Sequence, residues 1–212
     1  MASIIWLARH GNREDFVDPT WREHAAFPAD SPLSFDGIDQ ARQLGRRLHG
    51  EGIGAIYASP FLRAVQTAHE IADILELGVH LEPGLGEHLN PEWFPEPPEL
   101  RPISELQKRF ARLVVSHPLG AVPRYPETLA SAHQRSADAV GRIAAHVNFP
   151  VLFVGHGASV SGAVLILSGE NRETPCPLTG LFALRLVGPT WKVELRADTA
   201  HLDGARATNR YF

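Results

Sequence analysis

The chain has 212 residues, 44% hydrophobic and 21% charged, with a formal net charge of −4, the balance of an ordinary globular protein able to bury a core. That charge gives no global field for nucleic acid or an acidic membrane, so any anion site must be built locally from a few converging cations. The single cysteine, Cys176, leaves no intrachain disulfide and no thiolate metal cluster, and the longest apolar runs fall short of the roughly 20 residues of a membrane span. No charged segment and long apolar stretch precede the first strand, so a cytoplasmic protein is expected.

Strand-like and helix-like blocks alternate, which predicts βαβ units and a mostly parallel sheet. Ile4-Ile5-Trp6-Leu7-Ala8 is a buried-strand run that stops on Arg9-His10-Gly11, and a polar, aromatic-dotted stretch follows from Asn12 to Pro32. Ser34 is a helix N-cap, with Ile38, Ala41, Leu44 and Leu48 at helical spacing, and Gly50, Gly52 and Gly54 close that helix. A strand is expected over Ala55–Ala58, a helix over Phe61–Leu75 and a short strand over Val79–Leu81. Between Pro83 and Pro102, prolines 91, 95, 97 and 98 forbid regular structure. This segment reads as an ordered insertion over the sheet's upper edge, carrying Glu87, Trp93 and Phe94. An amphipathic helix over Thr128–Val147 should turn Leu129, Ala132, Val140, Ile143 and Val147 to the core. It feeds a second buried strand, Val151-Leu152-Phe153-Val154, which stops on Gly155-His156-Gly157. A helix over Ala158–Leu167 and an edge hairpin of Leu181–Val187 and Trp191–Arg196 around Gly188-Pro189 complete the chain. The whole, residues 1–212, reads as one domain, a three-layer α/β/α sandwich.

In an open parallel sheet the carboxyl ends of the strands line the ligand crevice. Two histidines and an arginine delivered there suit a phosphate monoester. Arg9 and Arg63 each offer a planar fork of donors. His156, protonated by the nearby dianion, adds a cation, and the backbone N–H groups at Gly157 and Ala158 add the positive end of a helix dipole. His10 would attack phosphorus through one ring nitrogen if a backbone carbonyl held the other. A carboxylic acid must then protonate the departing oxygen, a contribution of typically ~10²–10⁴-fold. Glu87, its pKa raised in a partly dry pocket, is the expected acid, with Glu82 and Glu92 in the same segment as alternatives. Gly11, Arg13 and Gly157 complete the expected substrate contacts.

Arg9-His10-Gly11, Ser59-Pro60 with Arg63 and Gln66-Thr67-Ala68, the acid near Glu87, and Gly155-His156-Gly157 together resemble the histidine phosphatase (phosphoglycerate mutase-like) superfamily. The motifs fall in that superfamily's order from Ile4 to about Leu167. Arg13, Phe61-Leu62-Arg63, Glu82-Pro83-Gly84-Leu85, Tyr125-Pro126-Glu127 and Cys176-Pro177-Leu178 are most similar to the branch of the suppressor-of-T-cell-signalling and ecdysteroid-phosphate phosphatases. That branch tends to place aromatic residues on both sides of the acid, whereas Gly86 and His88 flank Glu87 here. The resemblance implies a metal-independent phosphomonoesterase with no cofactor, working through a phosphohistidine on His10. Its substrate would be a small-molecule phosphate monoester or a phosphoprotein.

A phosphoglycerate mutase-type isomerase is the alternative, although Asn12-Arg13-Glu14-Asp15 does not match the mutase pattern. A non-catalytic phosphate-binding module and a serine hydrolase at Ser159 are further readings; the latter lacks the Gly-x-Ser-x-Gly elbow. Phe16, Trp21, Trp93, Phe94 and Tyr125 could wall a leaving-group pocket or simply pin loops to the core. The other histidines, His24, His49, His69, His80, His88, His117, His133, His146 and His201, show no zinc spacing and read as structural or surface residues. Cys176 reads as a packing residue, and the edge hairpin offers a surface for a homodimer.

Overall fold

A computed structural model describes residues 2–114 and 122–203; His117 lies outside them. The elements are β1 (Ile4–Arg9), α1 (Glu14–Val17), α2 (Trp21–His24), α3 (Phe35–Leu48), β2 (Ala55–Ala58), α4 (Leu62–Leu75), β3 (Val79–Leu81), a 3₁₀ turn (Pro83–Leu85), α5 (Ile103–Arg109), β4 (Leu113–Val114), α6 (Leu129–His146), β5 (Val151–Gly155), α7 (Gly157–Ser168), β6 (Leu181–Val187) and β7 (Thr190–Asp198). They build a seven-stranded sheet in the order β4-β3-β2-β5-β1-β6-β7. The first five strands of that order run parallel, and β6 and β7 form an antiparallel edge.

Alternation along each strand divides the apolar residues between the sheet's faces. Val151 and Phe153 of β5 join Ile5, Leu7, Val140, Ile143, Ala163 and Val164 in one cluster, under α6 and α7. Leu152 and Val154 join Trp6, Ala8, Leu44, Leu48, Ala68 and Ile71 in the other, under α3 and α4. Both faces are covered, so β5 is an uninterrupted apolar run, and the expected three-layer α/β/α architecture is present. The side chain of Ser34 accepts the N–H of Gly37 at 3.3 Å and starts α3, and Gly50 and Gly52 leave it with φ of +89° and +69°.

Local expectations fail at several points. The Asn12–Pro32 stretch holds two single-turn helices, α1 and α2, and neither α5 nor β4 is expected from the sequence. Leu129 is 44% exposed because it starts α6 rather than packing beneath it. The edge strand β7 runs from Thr190 to Asp198, longer than the expected Trp191–Arg196. Within the 83–102 segment, Leu89 and Phe94 pack on Phe61. Among the described residues, no helix is long and apolar enough to cross a membrane.

Candidate active site

The site forms where β1 and β5 end. These strands are hydrogen-bonded neighbours with Arg9 opposite Gly155, so the residues that follow, His10 and His156, emerge side by side. Their rings are 5.2 Å apart, edge to face, and both side chains are fully buried. Beyond His156 the chain enters α7, with the His156 N–H on Ser159 Oγ at 2.8 Å. Ser159 also donates to the His156 carbonyl at 3.3 Å; this backbone-facing hydroxyl gives the serine hydrolase reading no nucleophile.

His10 has its two ring nitrogens in different surroundings. Nδ1 donates to the Gly11 carbonyl at 2.7 Å, which puts the proton there and the lone pair on Nε2. Nε2 is buried with no hydrogen-bond partner. Burial, and then the charges of Arg63, His156 and Arg9, hold the imidazole pKa well below its ordinary value. His10 is therefore a neutral base with one free nitrogen.

Gly11 is fixed by close packing. Its N–H goes to Thr67 Oγ1 at 3.1 Å, and a Cβ there would stand 2.5 Å from the Gly37 carbonyl oxygen. The substrate contact expected of Gly11 thus gives way to a backbone junction that holds His10.

Arg63 lies in the first turn of α4 and is 1% exposed. A cation at a helix N-terminus is unfavourable alone, and the buried Asp30 answers it by accepting the Leu62 N–H at 2.7 Å and pairing with Arg101 at 3.2 Å. Burial draws the guanidinium pKa down to about 10, so Arg63 stays charged in neutral solution. Its Nη2 meets Glu87 Oε2 at 3.2 Å, while its Nε and Nη1 are buried without hydrogen-bond partners. Unmet buried donors are costly, roughly 1–3 kcal/mol each, and their cationic character suits an anionic ligand.

Glu87 is ringed by donors. Oε2 lies 3.2 Å from both Arg63 Nη2 and His156 Nδ1, and Oε1 accepts the His88 N–H at 3.1 Å. Burial alone would raise its pKa, but the His156 and Arg63 charges outweigh burial and hold it well below the carboxylate range. The raised value expected from the sequence is therefore wrong for the free site. His156 itself is brought down to about 4, chiefly by burial, so Arg63 is the partner that counts at neutral pH. The carboxylate 3.2 Å from Nδ1 favours a proton on that nitrogen, which leaves His156 Nε2 to accept from the Ser59 hydroxyl at 2.8 Å. A cationic His156 would need a proton taken up from solvent when an anion binds. Of the alternative acids, Glu82 is turned to Arg142 at 2.6 Å and the Gly84 N–H at 2.8 Å, and Glu92 sits exposed at the cavity rim.

Arg9 donates to the Cys176 carbonyl at 2.9 Å and lines two adjoining cavities. One, about 290 Å³, is bounded by Arg9, Arg13, Phe16, Arg22, Glu87, Trp93, Phe94 and Gly157. The other, about 440 Å³, shares Arg9, Trp93 and Gly157 and continues over His88, Leu129 and Glu173. A Cβ on Gly157 would stand 3.8 Å from the Arg9 guanidinium carbon, an ordinary van der Waals contact. Arg13 pairs with Asp15, 2.8 Å from Nε, and lies 4.2 Å over the Phe16 ring. Trp21 is not among the lining residues of either cavity, and Tyr125 pins a loop by donating to the Phe94 carbonyl at 2.7 Å. Cys176 is buried, with a thiol pushed up to about 12 by burial.

The sequence reading did not single out Ser59, Asp30 or Arg22. Ser59 lay inside a recognised motif, but Asp30 and Arg22 carry no periodic or spacing signal. His10, Glu87 and His156 also bring potential ligand atoms within 4.8 Å of one another. Arg63 competes for that same carboxylate, and a dication beside its guanidinium would be repelled, so the donor set fits an anion better than a metal ion.

Comparison with known proteins matches residues 5–199 to the histidine phosphatase superfamily (branch 1). The chain spans 27% and 42% of the length of the first two curated relatives it matches. The second of these is adenosylcobalamin/alpha-ribazole phosphatase of Escherichia coli (strain K12), 33% identical over 42% of this chain. A probable phosphoglycerate mutase GpmB of Yersinia pestis (strain Pestoides F) is 28% identical over 94% of both chains. Among solved structures, the ecdysone phosphate phosphatase of Bombyx mori in complex with tungstate superposes with a TM-score of 0.73 at 23% identity, covering 90% of this chain and 91% of that one.

Proposed function

This chain belongs to branch 1 of the histidine phosphatase superfamily; from that premise we propose that it is a phosphatase, a metal-independent phosphomonoesterase working through a phosphohistidine on His10. The observation that carries this reading is the unpartnered His10 Nε2 standing beside the unmet donors of buried Arg63. A nucleophilic lone pair and unsatisfied cationic N–H groups are what an incoming phosphoryl group would use.

The substrate phosphate takes the donors of Arg9 and Arg63, with Arg13 at the mouth. His10 Nε2 attacks phosphorus as the bond to the leaving oxygen breaks, and the electron pair on that oxygen takes a proton from Glu87. Alcohol departs, leaving phosphohistidine and a Glu87 carboxylate. Water then attacks phosphorus, gives its proton to Glu87, and the P–N electron pair returns to Nε2. Glu87 is ionised in the free site, so its proton must be taken up from solvent as the substrate binds. A phosphate dianion engages Arg63 and adds a repelling negative charge, and both effects favour the protonated acid.

The shape of the site supports a leaving group larger than a few atoms. Trp93 stands between the two cavities, with Phe16 and Phe94 on one side and His88 and Leu129 on the other. A phosphoglycerate mutase-type transfer is the second reading, favoured by the full-length likeness to GpmB. A mutase must shield the phosphohistidine from water and grip a small carboxylate.

Two measurements test the proposal. Incubation with a labelled aryl phosphate should trap enzyme-bound phosphate that is lost in acid and stable in base, and His10→Ala should lower kcat/KM at least ~10³-fold. Full activity in His10→Ala would refute it. Phosphoglycerate isomerisation faster than aryl phosphate hydrolysis would transfer the assignment to the mutase reading.

A further inference from the structure

Arg135 lies on α6, outside every motif that pointed to the site, with its side chain only 7% exposed. Its guanidinium reaches the loop that carries Glu87. Nε and Nη2 bind the two carboxylate oxygens of Glu127 at 2.8 Å each. Nη1 donates to the carbonyls of Gly84 at 2.7 Å and Gly86 at 3.3 Å, and Nη2 also donates to that of Glu87 at 3.2 Å. These contacts occupy all five N–H donors of an arginine. Glu127 grips the next residues. Its N–H donates to the Leu89 carbonyl at 3.1 Å, Oε2 accepts the Leu89 N–H at 3.5 Å, and its carbonyl meets His88 Nε2 at 2.9 Å. From Gly84 to Leu89, every residue except Leu85 is bonded to one member of this pair.

We infer that the Arg135–Glu127 pair is a positioning device that aims the Glu87 carboxyl at the leaving oxygen. This rests on the reading of Glu87 as the acid. The loop has little regular structure of its own beyond one 3₁₀ turn, and Gly84 and Gly86 give its backbone freedom. A planar fork gripping the carbonyl groups of Gly84, Gly86 and Glu87 replaces the rigidity a helix or strand would supply. Lysine would carry the charge but not the fork, with three donors in place of five.

Leaving groups that depart as stable phenolates need little help from an acid, whereas alkoxides need a well-placed one. Accordingly kcat/KM, which reports the step that expels the leaving group, should be measured with 4-nitrophenyl phosphate and with 2-phenylethyl phosphate. Arg135→Lys and Glu127→Gln should each lower it ~10–100-fold for the phenylethyl ester and less than ~3-fold for the nitrophenyl ester, with tungstate affinity retained. Glu127→Gln keeps the side-chain shape and supplies the test should Arg135→Lys fail to fold.

Equal losses on both esters, or no loss on either, would overturn the inference. Glu87→Gln serves as the control. If it shows no preference between the esters, the acid assignment itself fails; if it shows the preference and neither clamp variant does, only the positioning role falls.

Discussion

Arg63 Nη2 and Glu87 Oε2 stand 3.2 Å apart in the free pocket, so the cation a phosphate would need is already paired with the acid its leaving group would need. On the proposed reading, a phosphate that takes the remaining Arg63 donors would share that cation with the carboxylate. The carboxylate, next to a dianion and with its cation partly drawn away, would then be the group that gains a proton, and binding and acid activation would be a single event.

The first prediction follows from this competition. Glu87→Gln removes the carboxylate that holds Arg63, so tungstate should bind about 10-fold more tightly than to the parent, a difference near 1.4 kcal/mol. Turnover of alkyl phosphates should collapse in the same protein. Titration calorimetry and steady-state rates on one preparation check both, and weaker tungstate binding would count against the competition.

Proton uptake is the second prediction. Tungstate stays a dianion through the neutral range, so a proton taken up on binding must go to the protein. Glu87 starts well below the ordinary carboxylate range and His156 at about 4, so both are deprotonated in the free site at neutral pH and have room to gain one. Tungstate affinity should accordingly fall as pH rises through neutrality. Calorimetry in buffers of different ionisation enthalpy should count close to one proton at neutral pH and less in Glu87→Gln. Zero uptake would mean the carboxylate does not switch.

A third prediction concerns stability. Burial would raise the Asp15 pKa, but its bonds to Arg13, Ser31 and Arg22 hold it at about 2, against an ordinary 3.8. A depressed carboxylate contributes stability above its unfolded pKa and loses it as pH falls through the folded value. Asp15→Asn should therefore lower the denaturant midpoint at neutral pH, with the gap from the parent closing towards pH 2. A gap that persists undiminished at pH 2 would locate the effect in packing instead.

How much of this was legible in the chain depended on whether the signal was local. The two strand-ending histidines could be read because buried parallel strands are continuous apolar runs, and Ser34 because an N-cap sits next to what it caps. The helix α5 was missed because its short Ile103, Leu106, Phe110 stripe follows a proline-rich run that dominates its surroundings. Leu129 was misassigned because a helical wheel does not say where the helix begins to be covered. The Glu87 pKa was assigned the wrong direction because burial is local in sequence while Arg63 and His156 are not. Arg135 was invisible for the same reason: its partners lie 8 to 51 residues away.

The register that sets Arg9 against Gly155 has a further consequence. Both imidazoles hang from adjacent threads of the innermost weave, so their separation is governed by peptide hydrogen bonds that no surface change can stretch. The arginine-rich rim and the proline-rich flap, by contrast, are borrowed from outside that weave. On the proposed reading the nucleophile is thus housed in the weave while the acid, Glu87, is held on the borrowed part, so the rest of that part could be rewritten around residue 87 while the paired imidazoles stay where they are.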